Sequence, residues 1–145
     1  MTRIIRIAVG SLIAAGLAFA SASAAEHKLK ATLNSASEVP ANTSTGKGTA
    51  EITVNDATKE VTWTVTFEGL TGDATAAHIH GPAAAGTNAG VVQALGTPGA
   101  GVKSPLTGKA TLDDAKIADI LGGRTYVNVH TVANTGGEIR GQLAK

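Results

Sequence analysis

The chain has 145 residues, with 12 basic side chains against 11 acidic ones and no cysteine. This excludes disulfide staples, thiolate catalysis and Cys-ligated metals. Near-neutral charge without a basic run also excludes the clustered positive surface that nucleic acid and anionic membranes require.

At the N-terminus, Arg3 and Arg6 precede an apolar run from Ile7 to Ala20, and Ala22-Ser23-Ala24 has the small-x-small form that signal peptidase reads. The run is about 14 residues long, short of the ~20 that cross a bilayer, so residues 1–24 are expected to be a secretory signal peptide and not an anchor. Two isoleucines separate the arginines, against a twin-arginine signal, and the absence of cysteine excludes a lipoprotein. Residues 25–145 are then one exported domain, periplasmic or secreted and free of the membrane after cleavage. Without Arg3 and Arg6, acidic residues exceed basic ones by one.

His27 to Asn34 alternates apolar Leu29, Ala31 and Leu33 with polar residues, which predicts a half-buried strand. Thr49 to Val54 is a second. The turn cluster Asn55 to Lys59 joins it to Val61, Trp63, Val65 and Phe67, which alternate with threonines; this predicts a hairpin with Trp63 in the core. Ala76 to His80 is a strand stopped by Gly81-Pro82, and Val91 to Leu95 is another. The Gly- and Ala-rich stretch from Ala83 to Gly108 otherwise reads as surface loops, with Gly96 to Gly108 open. Asp113 or Asp114 caps one short helix through Ile117, Ile120 and Leu121, ended by Gly122-Gly123. Tyr126 to Val132 and Glu138 to Leu143 pair across a five-residue turn. Seven or eight short strands with regular turns define an all-β fold, an antiparallel β-sandwich of immunoglobulin-like or superoxide-dismutase-like form with one short helix.

Chemistry concentrates on three of these strands. Period-two alternation puts His78 and His80 on one face, with Ala77 and Ile79 on the other. Val127 and Val129 face the core, which turns Tyr126, Asn128 and His130 away from it; Glu138, Arg140 and Gln142 likewise oppose Ile139 and Leu143. Histidines at i and i+2 lie about 6.5–7 Å apart along a strand. A third from a neighbouring strand would complete a three-nitrogen site for one copper or zinc ion, with Asn128, Glu138, Arg140 and Tyr126 around it. The same residues also suit a purely structural role: the histidines pin the Gly81-to-Gly90 segment by backbone hydrogen bonds, His130 stacks on Tyr126 or donates to Asn128, and Glu138 and Arg140 are exposed cross-strand partners worth at most ~1 kcal/mol. His27, near the new N-terminus, is a further candidate copper(II) ligand together with the terminal amine. No nucleophile motif, phosphate loop or paired-carboxylate motif is present.

Four ordered motifs, LNSASEVP (Leu33 to Pro40), AAHIHGP (Ala76 to Pro82), YVNVHT (Tyr126 to Thr131) and GGEIRGQL (Gly136 to Leu143), resemble the CHRD domain, a module named for chordin and found also as single-domain exported bacterial proteins. The resemblance covers about residues 27 to 143; Ala41 stands where members often carry a second proline after EVP. It implies an extracellular β-sandwich-like domain, and growth-factor binding does not carry over from one module. A looser likeness is to copper/zinc superoxide dismutase, with His78 and His80 matching its copper pair and Arg140 its guiding arginine; the chain lacks that enzyme's disulfide cysteines and has too few histidines for a bridged two-metal site. Three functions follow as expectations. The first is a non-enzymatic exported binding module for a metal ion or a protein partner, the second a copper-dependent redox enzyme of the dismutase type, and the third a structural or adhesive surface module.

Overall fold

Short runs of alternating apolar and polar residues form strands when one face of each can be buried against a shared core. A computed structural model, which describes residues 25–145, contains eight of them: β1 (Glu26–Asn34), β2 (Lys47–Asn55), β3 (Glu60–Glu68), β4 (Ala74–His80), β5 (Val91–Ala94), β6 (Leu106–Thr111), β7 (Tyr126–Thr131) and β8 (Ile139–Gln142). One helix, α1 (Asp114–Leu121), lies between β6 and β7. The expected signal peptide, residues 1–24, lies outside the described residues.

All strand pairs are antiparallel, in the order β5-β4-β7-β8-β1-β2-β3-β6. The β2–β3 hairpin has the expected register, from Val54 opposite Val61 to Lys47 opposite Glu68. Its turn forms because the Asn55 side chain accepts from the backbone N–H groups of Ala57 and Thr58. In α1, Asp113 caps the first turn by accepting from Lys116 N at 2.9 Å, and Ile117 and Ile120 supply its buried face.

The sheet curls until its ends meet. β3 lies six strands from β5, about 29 Å away if the sheet were flat. Yet Trp63 Nε1 on β3 donates to the carbonyl of Leu95, one residue past β5, at 3.1 Å. The two halves therefore face each other across one core that takes Leu29, Leu33, Ile52, Val61, Ile79 and Ile139 among its fully buried members. Trp63 is in this core, as its alternation with threonines predicts.

Two expectations are corrected. The segment from Gly96 to Gly108 is not loop throughout: Leu106 begins β6, which pairs with β3 from Val65↔Leu106 to Glu60↔Thr111. Leu106–Thr111 contains Gly108 and only partly buried positions, so it lacks the strong apolar alternation of its neighbours. Gly108 is required there, because a Cβ would lie 2.5 Å from the Trp63 ring. The segment from Gly81 to Gly90 is also no free surface loop, since it is bonded at several points across β4, β7 and β8.

If the Trp63–Leu95 contact holds the two halves together, Trp63→Ala should lower stability by about 3–5 kcal/mol in urea denaturation. A loss under about 1 kcal/mol would place the closure elsewhere.

Candidate metal centre

The three histidines meet because β4 and β7 are direct neighbours. The register sets Ala76 opposite His130, His78 opposite Asn128 and His80 opposite Tyr126, so all three imidazoles rise from one face. Ala76 is small and leaves His130 room to lean along the strand toward His78. Ring centroids lie 4.9 Å apart for His78–His130, 5.4 Å for His78–His80 and 6.1 Å for His80–His130. One ligand nitrogen from each falls within 4.8 Å of the others.

Hydrogen bonding decides which nitrogens are free. His80 Nδ1 lies 2.9 Å from the Ala89 carbonyl, and His130 Nδ1 lies 2.9 Å from that of Thr135. A carbonyl only accepts, so both Nδ1 atoms carry the proton and both Nε2 atoms present a lone pair. His130 Nε2 faces His78 Nδ1 at 3.0 Å, while His80 Nε2 is buried with no hydrogen-bond partner. Burial, and then the neighbouring His130 and His80 rings, depress the His78 pKa to about 4. Burial also depresses that of His130, against the opposing effect of its bond to the Thr135 carbonyl. Both rings are neutral at pH 7, the form that ligates metals.

Tyr126 and Arg140 back the cluster. The Tyr126 ring stacks on His80 with centroids 5.0 Å apart and planes 6° from parallel, and the guanidinium of Arg140, on β8, lies 3.3 Å from the Tyr126 centroid. Arg140 donates to Asn88 Oδ1 at 2.8 Å and to the Thr87 carbonyl; Tyr126 Oη accepts from Ala89 N. The 81–90 segment is thus laid over the polar face of β4, β7 and β8. This face is not exposed, contrary to the expectation for Glu138 and Arg140: their exposures are 0% and 2%, and every residue of β7 is buried. Nor does His130 stack on Tyr126 or donate to Asn128; His80 takes the stacked place. A buried Arg140 with its guanidinium tied to Asn88 and Thr87 is not placed to guide an anion from solvent, the part the dismutase likeness assigned to it. His27 lies outside the cluster, 3.3 Å from Asp56.

Two buried carboxyls flank this region, with opposite electrostatics. Burial raises the Glu138 pKa, but hydrogen bonds from Ser44, Thr131 and Thr71 outweigh it and hold the group down to about 2. Ser44 Oγ lies at 2.6 Å, Thr71 N and Oγ1 at 2.7 Å, and Asn134 Nδ2 at 3.1 Å. Glu138 therefore ties the 42–44, 71 and 131–134 segments together and does not pair with His130 or Arg140. Glu38, only 5% exposed, is pushed up to about 7 by burial, opposed by the Arg140 charge and the Val39 N–H. Its Oε1 has no partner. Sequence reasoning passed over Glu38, Asn88 and Thr71; an acidic residue between Ser37 and Val39-Pro40, just past the 3-10 turn Ser35–Ser37 that follows β1, was the available signal for the first.

Fold and site together define an all-β domain whose buried polar face carries three converging imidazoles under a strap of loops. The chain belongs to the CHRD domain family, whose model matches residues 29–143. No curated protein and no solved structure matches it.

The two carboxyls give opposite pH slopes. Glu138 contributes stability that is complete above pH 4.5 and lost as pH falls through about 2; Glu38 contributes most below pH 4.5 and its contribution is lost as pH rises through about 7. Each slope is on the order of 3 kcal/mol. Urea denaturation from pH 2 to 9 should show Glu138→Gln flattening the acid limb and Glu38→Gln flattening the alkaline limb while raising stability at pH 8. Unchanged limbs in these variants would refute the assignments.

Proposed function

We propose that the chain is an exported, non-enzymatic CHRD-domain module that holds one transition-metal ion, copper or zinc, on His78, His80 and His130. The observation that carries this reading is the buried, unpartnered Nε2 of His80 within a cluster of imidazole nitrogens. An orphaned buried acceptor costs roughly 1–3 kcal/mol, which a bound cation would remove. A metal–nitrogen bond of 2.0–2.1 Å implies about 3.3 Å between tetrahedral ligand atoms, so the cluster needs small ring movements to close on one ion. Ligation through His78 Nδ1 shifts that ring's proton to Nε2 and replaces the His78–His130 hydrogen bond. The Ala89 and Thr135 carbonyls orient the other two rings as supporting acceptors do in known metal sites. Export is supported by the sequence pattern of residues 1–24.

A second reading is favoured by the same two carbonyl bonds: the histidines act as loop anchors in a structural module. His78 separates the readings, because it anchors no loop and contacts only its neighbouring histidine by hydrogen bond. Isothermal titration of copper(II) and zinc(II) into the purified protein should give a 1:1 complex with Kd below ~10 μM, lost in His78→Ala. Binding unaffected by that substitution would sink the metal reading. In metal-free buffer His80→Ala should lower the thermal midpoint by several degrees if the bond to Ala89 secures the strap.

A further inference from the structure

We infer that the three-histidine site selects monovalent copper over divalent ions. This rests on the metal reading above and extends it to the charge of the ion.

The donor set is neutral. Among the described residues, the group whose ligand atoms converge contains His78, His80 and His130 and no carboxylate. A divalent ion there keeps both its charges, and the cost of withdrawing an ion from water grows with the square of its charge. A fixed positive charge adds to this. Arg140 is 2% exposed, stacks at 3.3 Å on Tyr126, and Tyr126 stacks on His80, so a single ring separates the guanidinium from a candidate ligand. Asn88 and the Thr87 carbonyl hold it there as neutral acceptors. Glu38 lies close enough to offset this charge when ionised, but burial raises its pKa and favours the neutral form. Repulsion from Arg140 doubles when the bound ion goes from one charge to two, at a site where His130 and the Nε2 atom of His80 are buried.

Coordination number points the same way. This cluster supplies three protein donors, and zinc on three donors keeps a water or other ligand in a fourth position. Monovalent copper is satisfied by two or three. His78 Nδ1 and His130 Nε2 already lie 3.0 Å apart, with His80 Nε2 as the third. A low-coordinate ion therefore fits without recruiting water beneath the strap.

The test is an anaerobic competition of the purified protein for copper(I) against bicinchoninate, with zinc(II) measured against a chromophoric chelator, and voltammetry of the copper-loaded form. Copper(I) should bind at least about a hundredfold more tightly than zinc(II), and the copper(II)/copper(I) midpoint should lie above that of the aqueous ion. Zinc bound as tightly, or a midpoint below the aqueous couple, overturns this inference while leaving the metal reading standing. Failure of every ion to bind, or binding insensitive to His78→Ala, overturns both. Arg140→Gln, verified as folded by circular dichroism, should narrow the copper(I)-to-zinc preference about tenfold; a folded variant with the full preference removes Arg140 as its cause. Should that variant not fold, the wild-type midpoint decides.

Discussion

The constraint on which this domain depends is that the polar face of β7 and β8 lies under protein, with the β4 histidines half-buried beside it. β7 is buried on both sides, with Val127 and Val129 toward the core and Tyr126, Asn128 and His130 toward the loops. Buried polar groups must find partners or cost stability, so the covering segments are chosen to supply them. Thr87, Asn88 and Ala89 serve Arg140, His80 and Tyr126; Ala83 and Gly123 carbonyls serve Gln142; Thr135 serves His130. Asn42 and Ser44 serve Glu138 from the other side. The loops are held by the strands' side chains as much as the strands are covered by the loops.

Small residues make this cover possible. A Cβ on Gly81 would lie 2.7 Å from the Thr125 side chain and 2.8 Å from the Arg124 carbonyl, so the strap can leave β4 against that segment only as glycine. Gly137, at φ +132°, lies where a side chain would meet both Glu38 and Asn128. Gly141 lets the backbone of β8 approach Thr32 of β1, at the seam where the histidine-bearing strands join the regular meander of β1, β2 and β3. Gly137 and Gly141 of the GGEIRGQL motif thus set the distances at which polar side chains beneath the loops can bond.

How much of this was legible follows from what each residue contacts. The β2–β3 hairpin, α1 with its Asp113 cap, and the shared face of His78, His80 and His130 are local consequences of period and capping, and they read directly from the chain. The pairing of β4 with β7 did not, because 45 residues separate His80 from Tyr126 and nothing in either strand names its neighbour. Burial of Arg140 and Glu138 was also illegible: alternation says which side a residue faces, not what lies over that side. Glu138 read as a surface charge because its acceptors' partners, Ser44 and Thr71, are far away in sequence. Leu106–Thr111 was missed because an edge strand needs no apolar stripe when only one neighbour reads it.

The loop anchoring of the histidines and the ligand role proposed for them use the same bonds. A carbonyl that takes the Nδ1 proton of an imidazole fixes its tautomer, and in doing so turns the Nε2 lone pair outward from the loop. Ala89 does this to His80 and Thr135 does it to His130, so each loop contact directs a donor nitrogen toward the space between the rings. His78 stands apart: it has no carbonyl partner, and its Nδ1 meets the lone pair of His130. A purely structural cluster would have no need to leave the Nε2 of His80 buried without a partner, since a serine or threonine in the covering segment would satisfy it. The loops therefore orient two of the rings and leave the third held by its neighbouring histidine alone, the arrangement on which the proposed ion site draws.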